Sequence, residues 1–138
     1  MPHANLVCKA EFCAAFRLHN AEKDSAWNLE TYGICNSENF HGHNWQLEVE
    51  VSGEVQADTG MVMDLLKLQA IIEEKVISRV DHRNLNLDVE FLSGKLTTTE
   101  NLAIAFWAQI QPALPNGVDL VEIRLKESKA HSIRYSGK

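Results

Sequence analysis

The sequence predicts an α+β fold, a four-stranded antiparallel sheet with two helices on one face, in the order β-β-α-α-β-β. Three observations lead there. Segments of apolar and polar alternation occur in pairs toward the start and the end of the chain. Two segments of helical periodicity lie between these pairs. The 138 residues suit one domain, residues 1–138, around one core, and a chain of that length buries roughly two-thirds of its unfolded surface without a disulfide staple.

The first strand is read over Leu6–Leu18, because Phe12, Ala14, Phe16 and Leu18 share one parity while Lys9, Glu11 and Arg17 fall on the other. Residues His19 to Glu38 read as a polar, irregular connection with Trp27, Leu29 and Tyr32 as scattered anchors, long enough to suggest function. Asn44–Val55 is the clearest strand, since Trp45, Leu47, Val49 and Val51 alternate with Gln46, Glu48, Glu50 and Ser52. The run Ala57-Asp58-Thr59-Gly60 is a turn. After it Asp64 can cap a helix to about Ser78, with Leu65, Leu68, Ile72 and Val76 at helical spacing and Lys67, Glu73, Glu74 and Lys75 outside. Arg79 to Asp88 is a polar loop. Thr97-x-x-Glu100 forms a capping box for a second helix through Leu102, Phe106 and Ile110, stopped by Pro112. Val121, Ile123 and Leu125 alternate with Glu122, Arg124 and Lys126, and Ser132–Tyr135 supplies a short last strand. Such a sheet leaves two edges, which closing a ring with other subunits would cover, so an oligomer is expected.

Composition narrows the class. With 13 basic and 19 acidic residues the formal net charge is −6, and no basic run occurs. These features argue against nucleic-acid or membrane-surface partners. No apolar stretch reaches the roughly 18 residues of a membrane span, and the N-terminus lacks a signal-peptide pattern, so the expected location is the cytoplasm. In that compartment three irregularly spaced cysteines are expected as thiols. Cys8 and Cys13 read as core, whereas Cys35 lies in a polar segment where a neighbouring cation or metal could stabilise its thiolate.

The chemistry concentrates in Cys35-Asn36-Ser37-Glu38-Asn39-Phe40-His41-Gly42-His43. His41 and His43 are two apart, so on an extended backbone their imidazoles share a face, about 7 Å apart along the chain, and can clip one metal ion. His-x-His also occurs in strands that bind nothing; here Cys35 and Glu38 beside it strengthen the metal reading. Asp81-His82 pairs a carboxylate with an imidazole, which suits a proton shuttle and equally describes an exposed loop pair. Glu127, at a strand end, could accept two hydrogen bonds from an amidine-like edge of a ligand, or be a solvated charge. Thr97, Thr98 and Thr99 serve as helix caps, and hydroxyls at a helix start also suit a polar ligand. His3 and His131 read as surface residues.

With these residues in view, the chain resembles the 6-pyruvoyl-tetrahydropterin synthase family, including the 6-carboxytetrahydropterin synthases of queuosine biosynthesis. The resemblance spans nearly the whole length. It rests on Phe12-Cys13-Ala14-Ala15-Phe16-Arg17-Leu18, Cys35 through His43, Thr59-Gly60-Met61-Val62-Met63-Asp64, Asp81-His82-Arg83-Asn84-Leu85, Thr98-Thr99-Glu100-Asn101 and Glu127. It implies β-β-α-α-β-β units forming trimeric barrels that pair into homo-hexamers, with active sites between subunits. It also implies zinc held by His41 and His43, Cys35 as base, Asp81 with His82 as a relay, and Glu127 anchoring a pterin helped by Thr98 and Thr99. The implied reaction is proton removal and return on 7,8-dihydroneopterin triphosphate.

Two features separate this chain from the pattern it resembles. The family places a third zinc histidine where this chain has Phe16. His19 could substitute if the strand bends or ends near Leu18, and Cys35 or Glu38 could otherwise complete the shell. A homologue that binds pterin without catalysis is the alternative. The chain also carries both bases, as Cys35-x-x-Glu38-x-x-His41-Gly42-His43. That resembles the bifunctional type, which also cleaves dihydroneopterin to 6-hydroxymethyl-dihydropterin for folate synthesis, with the glutamate as base.

Overall fold

A computed structural model describes residues 1–138. Its strands are β1 (His3–Phe16), β2 (His41–Glu54), β3 (Arg83–Asn84), β4 (Val118–Lys126) and β5 (Ser132–Tyr135). Its helices are α1 (Ser25–Tyr32), α2 (Leu65–Ile72), α3 (Ser78–Val80) and α4 (Thr99–Ile110). The sheet is five-stranded in the order β3-β1-β2-β4-β5. The four expected strands pair antiparallel. The expected count of four is corrected by β3, which pairs parallel with Ala14 and Ala15 of β1 and makes the sheet mixed. Two residues in a polar loop carry no alternation, so periodicity could not announce that strand.

The parity of β1 and β2 builds the core. Phe12, Ala14 and Phe16 from β1 and Trp45, Leu47, Val49 and Val51 from β2 are buried on one face. Against them pack Leu68, Ile72, Val76, Leu102, Phe106 and Ile110 from the helical segments. Cys13 has the opposite parity and is exposed, and Cys8 is only half-buried, which corrects the reading of both as core. In β4 the buried set is Leu120, Ile123 and Leu125, because a bulge between Glu50 and Val51 of β2 shifts the register and moves Val121 out of phase. A strict alternation cannot foresee an inserted residue.

Helix starts followed their caps. Asp64 Oδ1 accepts from the N–H of Leu66 at 2.9 Å, opening α2. The helical path continues through a π-turn, Glu73–Ile77, into α3, two residues past the expected end. The cap of α4 is Thr98, whose Oγ1 accepts from Asn101 N at 3.2 Å, one residue later than the expected box. Thr97 is instead buried and donates to the carbonyl of Arg17 at 3.0 Å. Between β1 and β2 the structure forms α1 and a 3₁₀ turn, Gly33–Asn36, where an irregular loop was expected. The only buried residue of α1 is Asn28, so the helix has no apolar stripe for periodicity to detect. The side chain of Asn28 takes the place of one: it accepts from Asn20 N at 2.7 Å and donates to the carbonyls of Asn20 and Asp24.

The other face of the sheet is polar and is organised by Arg124, which donates to Glu48, Glu50 and Glu122. Hydrogen bonds from Asn5 and Arg124 hold the Glu50 carboxyl below its ordinary 4.5. Partial burial pushes Glu48 upward, but bonds from Lys9 and Arg124 outweigh it and the net shift is downward. Carboxyls depressed in the folded state stabilise it above their unfolded pKa, and that stabilisation is lost as pH falls through the folded values. Arg124→Met should therefore flatten the fall in Tm below about pH 4.5, the unfolded carboxyl value. Melting curves between about pH 3 and 7 check this, and an acid limb as steep as the parent's would dismiss the network as its cause. No helix is long and apolar enough to cross a membrane.

Candidate active site

β2 begins at His41, three residues before the expected start, because His41 pairs with Phe16 and Gly42 with Ala15 at the end of β1. The two imidazoles share the core-side face, with ring centroids 5.4 Å apart and planes at 89°. Gly42 is required between them, since a Cβ there would lie 2.9 Å from the carbonyl oxygen of Ala14. Beneath the pair is an aromatic floor: Phe16 lies 4.4 Å from His41 and 5.6 Å from His43 between ring centroids, and Trp45 lies 5.6 Å from His43.

Cys35 and Glu38 reach the same place from the 3₁₀ turn and the residues just past it. That turn is tied to the end of β1. Leu18 N donates to the carbonyl of Cys35 at 2.8 Å, Asn36 Nδ2 donates to the carbonyl of Leu18 at 2.7 Å, and Arg17 Nη2 donates to the carbonyl of Asn36 at 3.1 Å. The fifth member, Glu127, ends the β4 side of the β4–β5 hairpin. Its Oε1 lies 3.0 Å from His43 Nε2, and its Oε2 accepts from Thr99 Oγ1 at 3.2 Å. Cys35, Glu38, His41, His43 and Glu127 thus line one cavity of about 950 Å³.

Other expected site residues lie elsewhere. Asp81 lines a separate hollow with Glu11, Cys13 and Asn44. Its Oδ1 is 3.1 Å from His82 Nδ1 and accepts from Cys13 N at 2.9 Å. The Cys13 amide, and after it the neighbouring imidazole, holds the Asp81 carboxyl below its ordinary value against the opposing effect of burial. His82 adopts a left-handed backbone at φ 60° and donates its N–H to the carbonyl of Cys13 at 2.6 Å, with its ring exposed. Thr98 is occupied as the α4 cap. The Nδ1 of His19 lies 2.9 Å from Asn36 Nδ2 and 3.2 Å from Arg17 Nη2, outside the cavity lining.

The lining also includes Leu29, Ile34, Ser128 and His131, which sequence reasoning did not select. His131 was read as a surface residue, and it does remain exposed. The hairpin brings it back beside Glu127, whose N–H donates to its carbonyl at 3.1 Å. A polar residue four positions beyond a strand-end carboxylate is the signal that could have found it. Leu29 and Ile34 carry no such signal, because exposed apolar residues are ordinary on protein surfaces.

Chemically, the cavity is lined by a thiol, two carboxylates and three imidazoles, those of His41, His43 and the exposed His131. Burial, and then the charge of His43, push the His41 imidazole below its ordinary 6.5, which favours its neutral form, with a weaker opposing effect from Glu127. Both His41 nitrogens are buried without a hydrogen-bond partner. As a metal site the donor set falls short. Only His41 and His43 stand ring to ring, Phe16 occupies the adjoining position, and no three His, Cys, Asp or Glu side chains, His131 included, are grouped to hold an ion. The residues of this chain do not by themselves fit the three-ligand catalytic zinc that the resemblance implies.

Comparison with known proteins identifies the family. The family profile described as 6-pyruvoyl tetrahydropterin synthase matches residues 5–138. The chain is 38% identical over 136 residues to the 6-pyruvoyl tetrahydrobiopterin synthase of Drosophila melanogaster, covering 99% of this chain and 81% of that protein. It is 34% identical over 130 residues to a dihydroneopterin monophosphate aldolase of Pyrococcus furiosus, covering 94% and 95%. The solved structure of Caenorhabditis elegans 6-pyruvoyl tetrahydropterin synthase superimposes with a TM-score of 0.93 at 37% identity, covering 100% of this chain and 98% of that one. On this evidence of sequence and fold the chain belongs to the 6-pyruvoyl tetrahydropterin synthase family.

Proposed function

We propose that the protein is a cytoplasmic pterin-forming lyase that acts on 7,8-dihydroneopterin triphosphate and also cleaves dihydroneopterin to 6-hydroxymethyl-dihydropterin. The observation that carries this reading is the convergence of Cys35, Glu38, His41, His43 and Glu127 on one cavity. Relatives named as 6-pyruvoyl tetrahydrobiopterin synthases and one named as a dihydroneopterin monophosphate aldolase support the pairing of reactions.

Glu127 anchors the pterin. Each of its oxygens has one partner within the chain, His43 or Thr99, and a carboxylate oxygen has room for a second, so both can still accept from the N3 and 2-amino hydrogens. Cys35, as thiolate, removes a carbon-bound proton from the side chain of the substrate, and triphosphate leaves with the electron pair of its C–O bond as the side chain rearranges toward the pyruvoyl group. Glu38 takes a hydroxyl proton, which drives the retro-aldol cleavage; the outer two carbons leave as a hydroxyaldehyde, and a proton is returned to the carbon that stays on the ring. Asp81 with His82 returns a proton from a neighbouring copy, because within one chain Asp81 lines a different hollow and the His82 ring is exposed. Assembly into a ring, and of two rings into a homo-hexamer, is supported by the unpaired outer edges of β5 and of β1 before Ala14.

Purified protein incubated with 7,8-dihydroneopterin triphosphate, and separately with dihydroneopterin, should release a pyruvoyl- or carboxy-tetrahydropterin and a hydroxymethyl-dihydropterin respectively. Chromatography with mass detection identifies each product. If neither forms while the pterin still binds, the enzyme assignment fails. The second reading, a non-catalytic pterin-binding homologue, would then stand; the two-donor clip over Phe16 is the observation that favours it.

A further inference from the structure

We propose that this chain holds no tightly bound zinc at the His41–His43 clip, and that Phe16 is the residue that removes the capacity. Strand register sets Phe16 opposite His41, so both side chains leave the sheet on the same face and meet. The phenyl ring is buried, with its centroid within 6 Å of both imidazoles. A donor at position 16 would complete a facing set of three, whereas a phenyl ring presents only carbon to that space.

The neighbouring candidates do not fill the gap. Glu127 meets His43 Nε2 and Thr99 without forming a three-donor group with the imidazoles, and His19 is held by Asn36 and Arg17. Cys35, Glu38 and His131 line the cavity without grouping with the His41–His43 pair as a donor set. Both nitrogens of His41 are buried and unpartnered, so no other side chain of this chain stands beside them as a further ligand. Two imidazoles without a third protein ligand fall short of the usual catalytic zinc set. This inference concerns metal capacity alone and does not depend on which pterin is converted.

The test measures zinc, not turnover. The full chain is purified, equilibrated with zinc salt at about 1 µM and passed through a desalting column, and its zinc is then measured by elemental analysis and by competition with a chromophoric chelator. The parent should retain less than about a tenth of a zinc per chain and show no zinc-dependent rise in Tm. Phe16→His should retain about one per chain and gain several degrees in Tm with zinc, and adding His41→Ala to it should remove both gains. A parent that retains one zinc per chain, lost on His41→Ala, overturns the proposal, and that result is readable even if Phe16→His does not fold. A folded Phe16→His chain that binds no more zinc than the parent overturns the role given to Phe16. Pterin conversion by zinc-free parent protein would support the proposed function and this inference together. A zinc-poor protein without turnover would support this inference and fail that function.

Discussion

Glu38→Ala is expected to abolish formation of 6-hydroxymethyl-dihydropterin while sparing the pyruvoyl or carboxy product, and Cys35→Ala is expected to do the reverse. The two bases reach the cavity from one short segment, Cys35 within the 3₁₀ turn and Glu38 just beyond it, so each can address a different hydrogen of one bound side chain. Their chemistry suits different protons. A thiolate is a soft, reactive base for a carbon-bound proton, and a carboxylate suits a hydroxyl proton whose loss breaks the adjoining carbon–carbon bond. A positioned general base contributes roughly 10²–10⁴-fold, and each variant should lose its own product by that factor. Single-turnover product ratios check the division of labour. Equal loss of both products in each variant would show that the residues act as one unit.

The second large effect is expected at Glu127. Glu127→Gln keeps the shape and removes the charge, so it weakens the contact with His43 and puts an N–H where the pterin edge also presents one. Hydrogen bonds to a charged partner are worth about 1.5–3 kcal/mol, which converts to roughly 10–150-fold weaker pterin binding. The loss should appear in KM or in a directly titrated Kd, with Tm little changed because the carboxylate lies at a cavity wall outside the apolar core. Binding unchanged within about twofold would remove Glu127 from the anchor role.

Much of the site could be read in the chain because its parts are local. Two histidines at strand spacing share a face in any strand they begin, and Cys35 and Glu38 are too close in sequence to lie far from them. The core face of β1 and β2 was legible for the same reason: alternation is a property of the backbone, and burying one parity is the only way such a ribbon leaves water. What escaped was what alternation cannot encode. Helix α1 is held by the amide of Asn28 in place of an apolar stripe, β4 changes phase at a bulge, and β3 exists because Asn84 lies beside Ala15.

The α+β class and the grouping of Cys35 to His43 were determined by the sequence alone, because short-range spacing and parity set them, and the family was legible in the motifs that resemble it. Only the tertiary structure decided that Glu127 and Thr99 join that cluster, that Asp81 with His82 opens elsewhere, and that Phe16 rather than His19 adjoins the two imidazoles. Each of those depends on which strands pair and in what register, and register is settled by packing the whole buried face at once.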